Sequence, residues 1–154
     1  MTVQQGDIAP DFSLPANGDG NVTLSAQRGK ALVLFFYPKD DTSGCTKEAT
    51  DFSQQKAEFD SLNVTIIGMS PDSVKRHDKF IAKHNLTITL ASDEEKTALS
   101  AYGVWVEKSM YGRKYMGVER STFLIDKDGT IVRAWRKVKV PGHVDEVLAA
   151  ARAL

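Results

Sequence analysis

Residues 31–37 read Ala-Leu-Val-Leu-Phe-Phe-Tyr, an apolar run without a break. A strand with one wet face alternates apolar and polar side chains. An unbroken run of this length is instead the pattern of a strand covered on both faces. Residues 64–69, Val-Thr-Ile-Ile-Gly-Met, give a second core strand. Between the two, Cys45, Ala49, Phe52, Lys56 and Phe59 recur at helical spacing, with Ala49, Phe52, Phe59 and Leu62 as the buried stripe. Ser70-Pro71-Asp72-Ser73 then starts a helix that runs to about His84. Strand, helix, strand, helix is the order of βαβ units around a parallel core.

The flanking segments fill out one domain spanning 1–154, a length that supports a single substantial core. Residues 6–15 read as an extended lead-in. Asn17–Gly20 is a turn, and Asn21–Ser25 alternates, so a small N-terminal hairpin is expected. Thr87–Ala91 is a short strand, and Ser92-Asp93-Glu94-Glu95 caps a helix of about two turns ending near Tyr102-Gly103. Residues 103–117 mix glycine, aromatic and basic residues and read as a loop of weak strand character. Val118–Ile125 is a strand, Asp126–Gly129 a hairpin turn and Ile131–Trp135 the return strand. His143–Leu154 is a terminal helix with Val144, Val147, Leu148 and Ala151 on one face.

Cys45 is the only cysteine, and it follows the first core strand across a polar turn, where the helical pattern begins. First-turn backbone N–H groups have no intrahelical acceptor, and the helix dipole is positive there, so a thiolate is favoured at that end. Pro38 restricts the turn, and Thr42 stands three residues before the cysteine, placed either to cap the helix or to aim its hydroxyl at whatever the sulfur attacks. A lone free cysteine is most often a small buried hydrophobe. The strand, the proline, the threonine and the helix start together point to a nucleophile instead.

Nearby charge does not account for a reactive thiolate. Asp40, Asp41 and Glu48 outnumber Lys39 and Lys47. A cation must come from a distant part of the chain, and Arg120, at the mouth of an apolar strand, meets that demand. Its guanidinium stays charged and offers five fixed donors. Glu48 has two readings, an acid favoured by the helix dipole or an acceptor that orients an arginine. His77 and His84 fall on one helix, seven apart, which is not the spacing of a helical zinc pair. They read as exposed or partner-satisfied rather than catalytic.

Twenty basic and twenty acidic residues cancel, which leaves no footprint for nucleic acid and no attraction to an anionic membrane. No apolar run approaches the roughly 20 residues of a bilayer span. The N-terminus lacks the pattern of a secretory signal, and a single cysteine forms no internal disulfide, so a reducing cytoplasm is expected.

The chain resembles the peroxiredoxin Q, or bacterioferritin comigratory protein, group of peroxiredoxins. The resemblance rests on Gly6–Pro15, Phe36-Tyr-Pro38, Thr42-x-Gly-Cys-Thr46, Gly103-Val-Trp105, Glu107-Lys-Ser109 and Arg120–Gly129. It implies an α/β thioredoxin-like fold, a central mixed sheet flanked by helices with a small N-terminal β-hairpin extension. It implies thiol-dependent reduction of hydrogen peroxide and organic hydroperoxides, with Cys45 as the peroxidatic cysteine and Pro38, Thr42 and Arg120 completing its site. Glu48 is similar to a supporting Glu or Gln of related sites. Sulfur is the redox centre, so no metal or bound cofactor is expected.

One departure matters. Many relatives carry a resolving cysteine five positions after the peroxidatic one, or on the following helix. Here the first of those positions is Thr50, and there is no second cysteine. The sequence leaves open whether Thr50 is native or replaces a resolving cysteine. An outside thiol is therefore expected to recycle Cys45, either glutathione with glutaredoxin or a thioredoxin-type donor. The absence of a C-terminal extension points to a monomer. The rivals are a monothiol disulfide exchanger of the same fold, a Cys–His hydrolase using His77, His84 or His143, and a non-catalytic binding module.

Overall fold

The computed structural model describes residues 3–154. Among them, chain order is β1 (Ser13–Ala16), β2 (Gly20–Thr23), a 3-10 turn (Leu24–Gln27), β3 (Ala31–Phe36), α1 (Ser43–Gln54), α2 (Lys56–Ser61), β4 (Val64–Ser70) and α3 (Val74–His84). Then come β5 (Thr89–Ser92), α4 (Thr97–Ala101), β6 (Trp105–Met110), β7 (Arg113–Val118), β8 (Ser121–Ile125), β9 (Ile131–Trp135) and α5 (His143–Arg152).

Seven strands form one sheet in the order β2-β1-β5-β4-β3-β8-β9. The pairs β3–β4 and β4–β5 are parallel, while β3–β8 and β8–β9 are antiparallel. This is the mixed, thioredoxin-like sheet that the resemblance implies. The N-terminal hairpin extends it, joining antiparallel to β5 through Ala16 and Ala91.

The apolar run of β3 lies inside the sheet and is buried from Leu32 to Phe36. Its side chains alternate between two cores, as the period of a strand requires. Leu32, Leu34 and Phe36 meet Leu99, Tyr102 and Phe123 on one side. Val33 and Phe35 meet Phe52, Phe59, Phe80 and Val147 on the other, where α1, α2, α3 and α5 pack. Phe35 stacks on Phe52 with ring centroids 4.6 Å apart, and burial of such a side chain contributes about 1.5–3 kcal/mol. Gly68 of β4 makes room for this pair. A Cβ there would lie 2.6 Å from Phe35 Cζ and 2.8 Å from Leu90 Cδ2.

Three elements differ from the sequence expectations. The helical stripe from Cys45 to Leu62 is two helices, because Gln55 leaves helical geometry (ψ 5°) and its N–H is shared between the Asp51 and Phe52 carbonyls. The turn brings Phe59 to within 6.0 Å of Phe52, which a spacing argument cannot distinguish from one long helix. The segment after β5 is shorter than two full turns from Ser92. Ser92 still belongs to β5, Lys96 takes a left-handed conformation, and α4 is only Thr97–Ala101. Asp93 is buried and accepts the Leu99 N–H at 2.8 Å, so it supports the helix from inside the core. Residues 105–118 form a regular hairpin, β6 with β7, turning at Tyr111-Gly112. Its side chains are largely exposed, so no period-2 burial pattern marked it in the sequence. Among the described residues, no helix is long and apolar enough to cross a membrane.

Candidate active site

The site forms where β3 stops. The Tyr37 N–H still bonds the Met69 carbonyl at 3.1 Å, after which Pro38 begins the crossing to α1. Asp41 adopts φ +63°, and Thr42 occupies the N-cap position in extended geometry. The first backbone bond of α1 runs from the Thr46 N–H to the Thr42 carbonyl at 2.8 Å. Of the two roles open to Thr42, its hydroxyl does not cap. It donates to the Lys39 carbonyl at 2.9 Å, and its lone pairs remain able to accept. The first-turn N–H groups around Cys45 therefore have no capping side chain.

Cys45 is the third residue of α1 and is only 1% exposed. Arg120 reaches it from the bend between β7 and β8, where the Arg120 carbonyl accepts the Val138 N–H at 3.0 Å. Its Nη2 donates to Cys45 Sγ at 3.3 Å, and its Nη1 donates to Glu48 Oε1 at 2.7 Å. The structure thus brings together Cys45, Arg120 and Glu48, with Thr42 and Pro38 on the adjoining loop. Of the two readings of Glu48, the dipole-favoured acid does not describe it, because the first turn of α1 holds no acidic residue. Glu48 is fully buried one turn beyond Cys45 and faces the guanidinium.

The electrostatics follow from burial. Desolvation pushes the Glu48 carboxyl up to about 7 against the pull of Arg120, and its Oε2 has no hydrogen-bond partner. Burial also works against the Arg120 charge, but Glu48 and Cys45 outweigh it and hold the guanidinium above its ordinary value. The guanidinium keeps its charge in any case, because arginine is too basic to lose its proton in a protein. The local excess of acids is turned away from the sulfur. Asp41 pairs with Lys83 and His84 at 2.7 and 2.8 Å, and Asp40 pairs with buried His77 at 2.7 Å.

Two contributors escaped the sequence reading. Gly44 lies against the guanidinium, since a Cβ there would stand 3.2 Å from Arg120 Nη2. Lys108 of β6 is half-buried beside the site. Burial, and then the Arg120 charge, lower its proton affinity, and its stem crosses Gly117. Lys108 lies within the Glu107-Lys-Ser109 motif, but without the hairpin register nothing directed it towards Cys45.

Among the described residues, no histidine hydrogen-bonds Cys45. His77 bonds Asp40 and the Ala91 carbonyl, and His84 bonds Asp41. His143 meets the Thr122 hydroxyl at 2.8 Å, and burial pushes it down to about 4. A Cys–His hydrolase has no base placed at the sulfur.

Residues 5–134 match the sequence pattern of the AhpC/TSA family. The peroxiredoxin Bcp of Bacillus subtilis (strain 168) is 50% identical over 148 residues, covering 96% of this chain and 94% of that protein. A solved structure of Xanthomonas campestris peroxiredoxin Q superposes with a TM-score of 0.90 at 45% identity, covering 99% of this chain and 96% of that one. The same figures hold for a structure of the Xanthomonas campestris bacterioferritin comigratory protein concerned with its alkyl peroxide reduction activity.

Proposed function

Since the chain belongs to the AhpC/TSA family, we propose that its peroxidase chemistry runs through Cys45 alone and is reset by an external thiol. The protein is a thiol peroxidase of the peroxiredoxin Q type. The observation that supports the assignment to Cys45 is the single guanidinium of Arg120, which bonds the sulfur and Glu48 at the N-terminus of α1.

In the first half-reaction the Cys45 thiolate attacks the terminal oxygen of a hydroperoxide. The S–O bond forms, the O–O bond breaks, and the leaving oxygen takes up a proton as water or alcohol. The Thr42 hydroxyl already donates to the Lys39 carbonyl, so it accepts the hydroperoxide O–H and aims the O–O bond. Arg120 and the first-turn N–H groups receive the charge that develops on oxygen, a type of donor worth about 10²–10³ in rate. Pro38 restricts the crossing that carries Thr42, and Glu48 orients Arg120. Cys45 is left as a sulfenic acid.

In the second half-reaction a thiol attacks the sulfenic sulfur, water leaves, and a mixed disulfide forms. A second thiol releases Cys45 and departs as a disulfide. Glutathione with glutaredoxin, or a thioredoxin-type donor, fits this step, and the protein works as a monomer in a reducing cytoplasm. Sulfur supplies the redox chemistry, so a thiol is the one added component the cycle requires.

Peroxide consumption with and without added thiol tests this account. Turnover is expected only with the thiol, after a first stoichiometric burst. Sustained turnover without one would refute the one-cysteine cycle.

A further inference from the structure

The two half-reactions place opposite demands on the same loop. Cys45 is 1% exposed, and the Pro38–Thr42 loop leads directly into its helix. A hydroperoxide is small and needs Thr42 held in place. A thiol must bring its own sulfur into bonding contact with Cys45, so the loop or the first turn of α1 has to move.

A buried polar cluster holds that loop. Asp40 Oδ2 bonds His77 Nδ1 at 2.7 Å, and Asp40 Oδ1 accepts the Tyr37 hydroxyl at 2.6 Å. The Asp40 N–H donates to Asp72 Oδ2 at 2.8 Å, an oxygen that also accepts from the Ser70 hydroxyl at 2.7 Å. His77 Nε2 faces the Ala91 carbonyl at 2.9 Å. A carbonyl only accepts, so Nε2 is the donor there and Nδ1 is left to face the Asp40 carboxyl. Asp40, Asp72 and His77 are all buried, and their polar atoms are taken up by one another and by neighbouring groups. The other side-chain ties from this loop to α3 are the pairs of Asp41 with Lys83 and His84. Those lie at the surface, where such pairs hold weakly. Between loop and helix, Asp40, Asp41, Arg76, Lys79, Phe80 and Lys83 line a cleft of about 340 Å³ that opens to solvent, so little apolar packing joins the two there. The hold is thus concentrated at Asp40 and His77.

We propose that Asp40 and His77 form a latch that holds the Thr42 loop closed over Cys45, and that its release sets the rate of the thiol step against the peroxide step. The latch rests on the assignment of peroxidase chemistry to Cys45. Both members are positioning residues. They touch neither substrate nor sulfur and act through the two-residue span from Asp40 to Thr42.

Double-mixing stopped-flow fluorescence separates the steps, with hydrogen peroxide added first and glutathione second. His77→Gln keeps a donor for the Ala91 carbonyl but loses Asp40. Loss of one charge-assisted bond is expected to slow the peroxide step about tenfold and to speed the glutathione step several-fold. His77→Asn places its amide nitrogen near Nδ1 and is expected to restore most of the peroxide rate. Tyr37→Phe removes only one donor to Asp40 and is expected to move both steps in the same directions by less. It decides the matter if the glutamine variant fails to fold by circular dichroism. The latch is overturned if folded variants leave both rates unchanged, or if both rates fall together. A wild-type protein with no peroxide-dependent change would instead refute the peroxidase assignment beneath it.

Discussion

The Arg120 guanidinium donates to Cys45 Sγ at 3.3 Å, across 75 residues of sequence, while its other terminal nitrogen is fixed by Glu48. Sulfur and carboxylate are thus joined by one planar group, and a lysine cannot reproduce both bonds. Arg120→Lys is expected to lower the second-order rate with hydrogen peroxide by about 10²–10³. Rapid-mixing kinetics measure this, and a rate equal to wild type would remove Arg120 from the chemistry.

Gly44 offers a test that separates stability from activity. Alanine suits a helix better than glycine by roughly 0.5–1 kcal/mol. Its Cβ would stand 3.2 Å from Arg120 Nη2, so the guanidinium would have to shift by a few tenths of an ångström and its bond to the sulfur would loosen. Gly44→Ala is expected to keep or raise the melting temperature while lowering the peroxide rate about tenfold, the equivalent of some 1.4 kcal/mol of lost transition-state contact. A slower and less stable variant would show general disruption instead.

Glu48 makes stability depend on pH in an unusual direction for a carboxylate. Its folded-state value is raised to about 7 from an unfolded value of 4.5, because burial disfavours the charge. The folded state therefore holds this proton more tightly. Its contribution is fully present below the unfolded value, declines as pH rises to about 7, and is flat beyond. Glu48→Gln cannot titrate. The difference in urea midpoint between wild type and variant is expected to shift against wild type between these limits, and a constant difference would contradict the assignment.

Thr42 is exposed, and its hydroxyl bonds only the Lys39 carbonyl. Thr42→Val should therefore stay within about 0.5 kcal/mol of wild-type stability, the usual range for surface changes. Its peroxide rate is expected to fall at least about tenfold, the order of a hydrogen bond lost in the transition state. Thr42→Ser keeps the hydroxyl and should recover most of that rate. If valine and serine behave alike, the hydroxyl has no part in binding peroxide.

Much of this arrangement was legible in the sequence because it is local. The apolar run of β3, the proline and threonine after it, and the helical period from Cys45 each lie within one window. Even Arg120 was reachable, since an excess of acids around a nucleophile demands a distant cation. The helix break at Gln55 was not legible, because Phe52 and Phe59 keep helical spacing across it. Nor was the β6–β7 hairpin, whose exposed faces carry no burial pattern. The pairing of Asp40 with His77 spans 37 residues and joins two polar side chains that look like ordinary surface groups until the sheet buries them. Non-local contacts between polar residues leave no periodic trace, and those are the contacts that position the loop.

Cys45 is assigned as the peroxidatic sulfur, and tryptophan fluorescence can read its reaction with peroxide. Trp135 lies edge-on to His143, 5.8 Å between ring centroids, and His143 in turn packs against Phe52 of the Cys45 helix. Reduced protein mixed with hydrogen peroxide should show a fast second-order change that is absent from Cys45→Ser. No change in the wild-type protein, with peroxide consumed no faster than by free cysteine, would contradict the account.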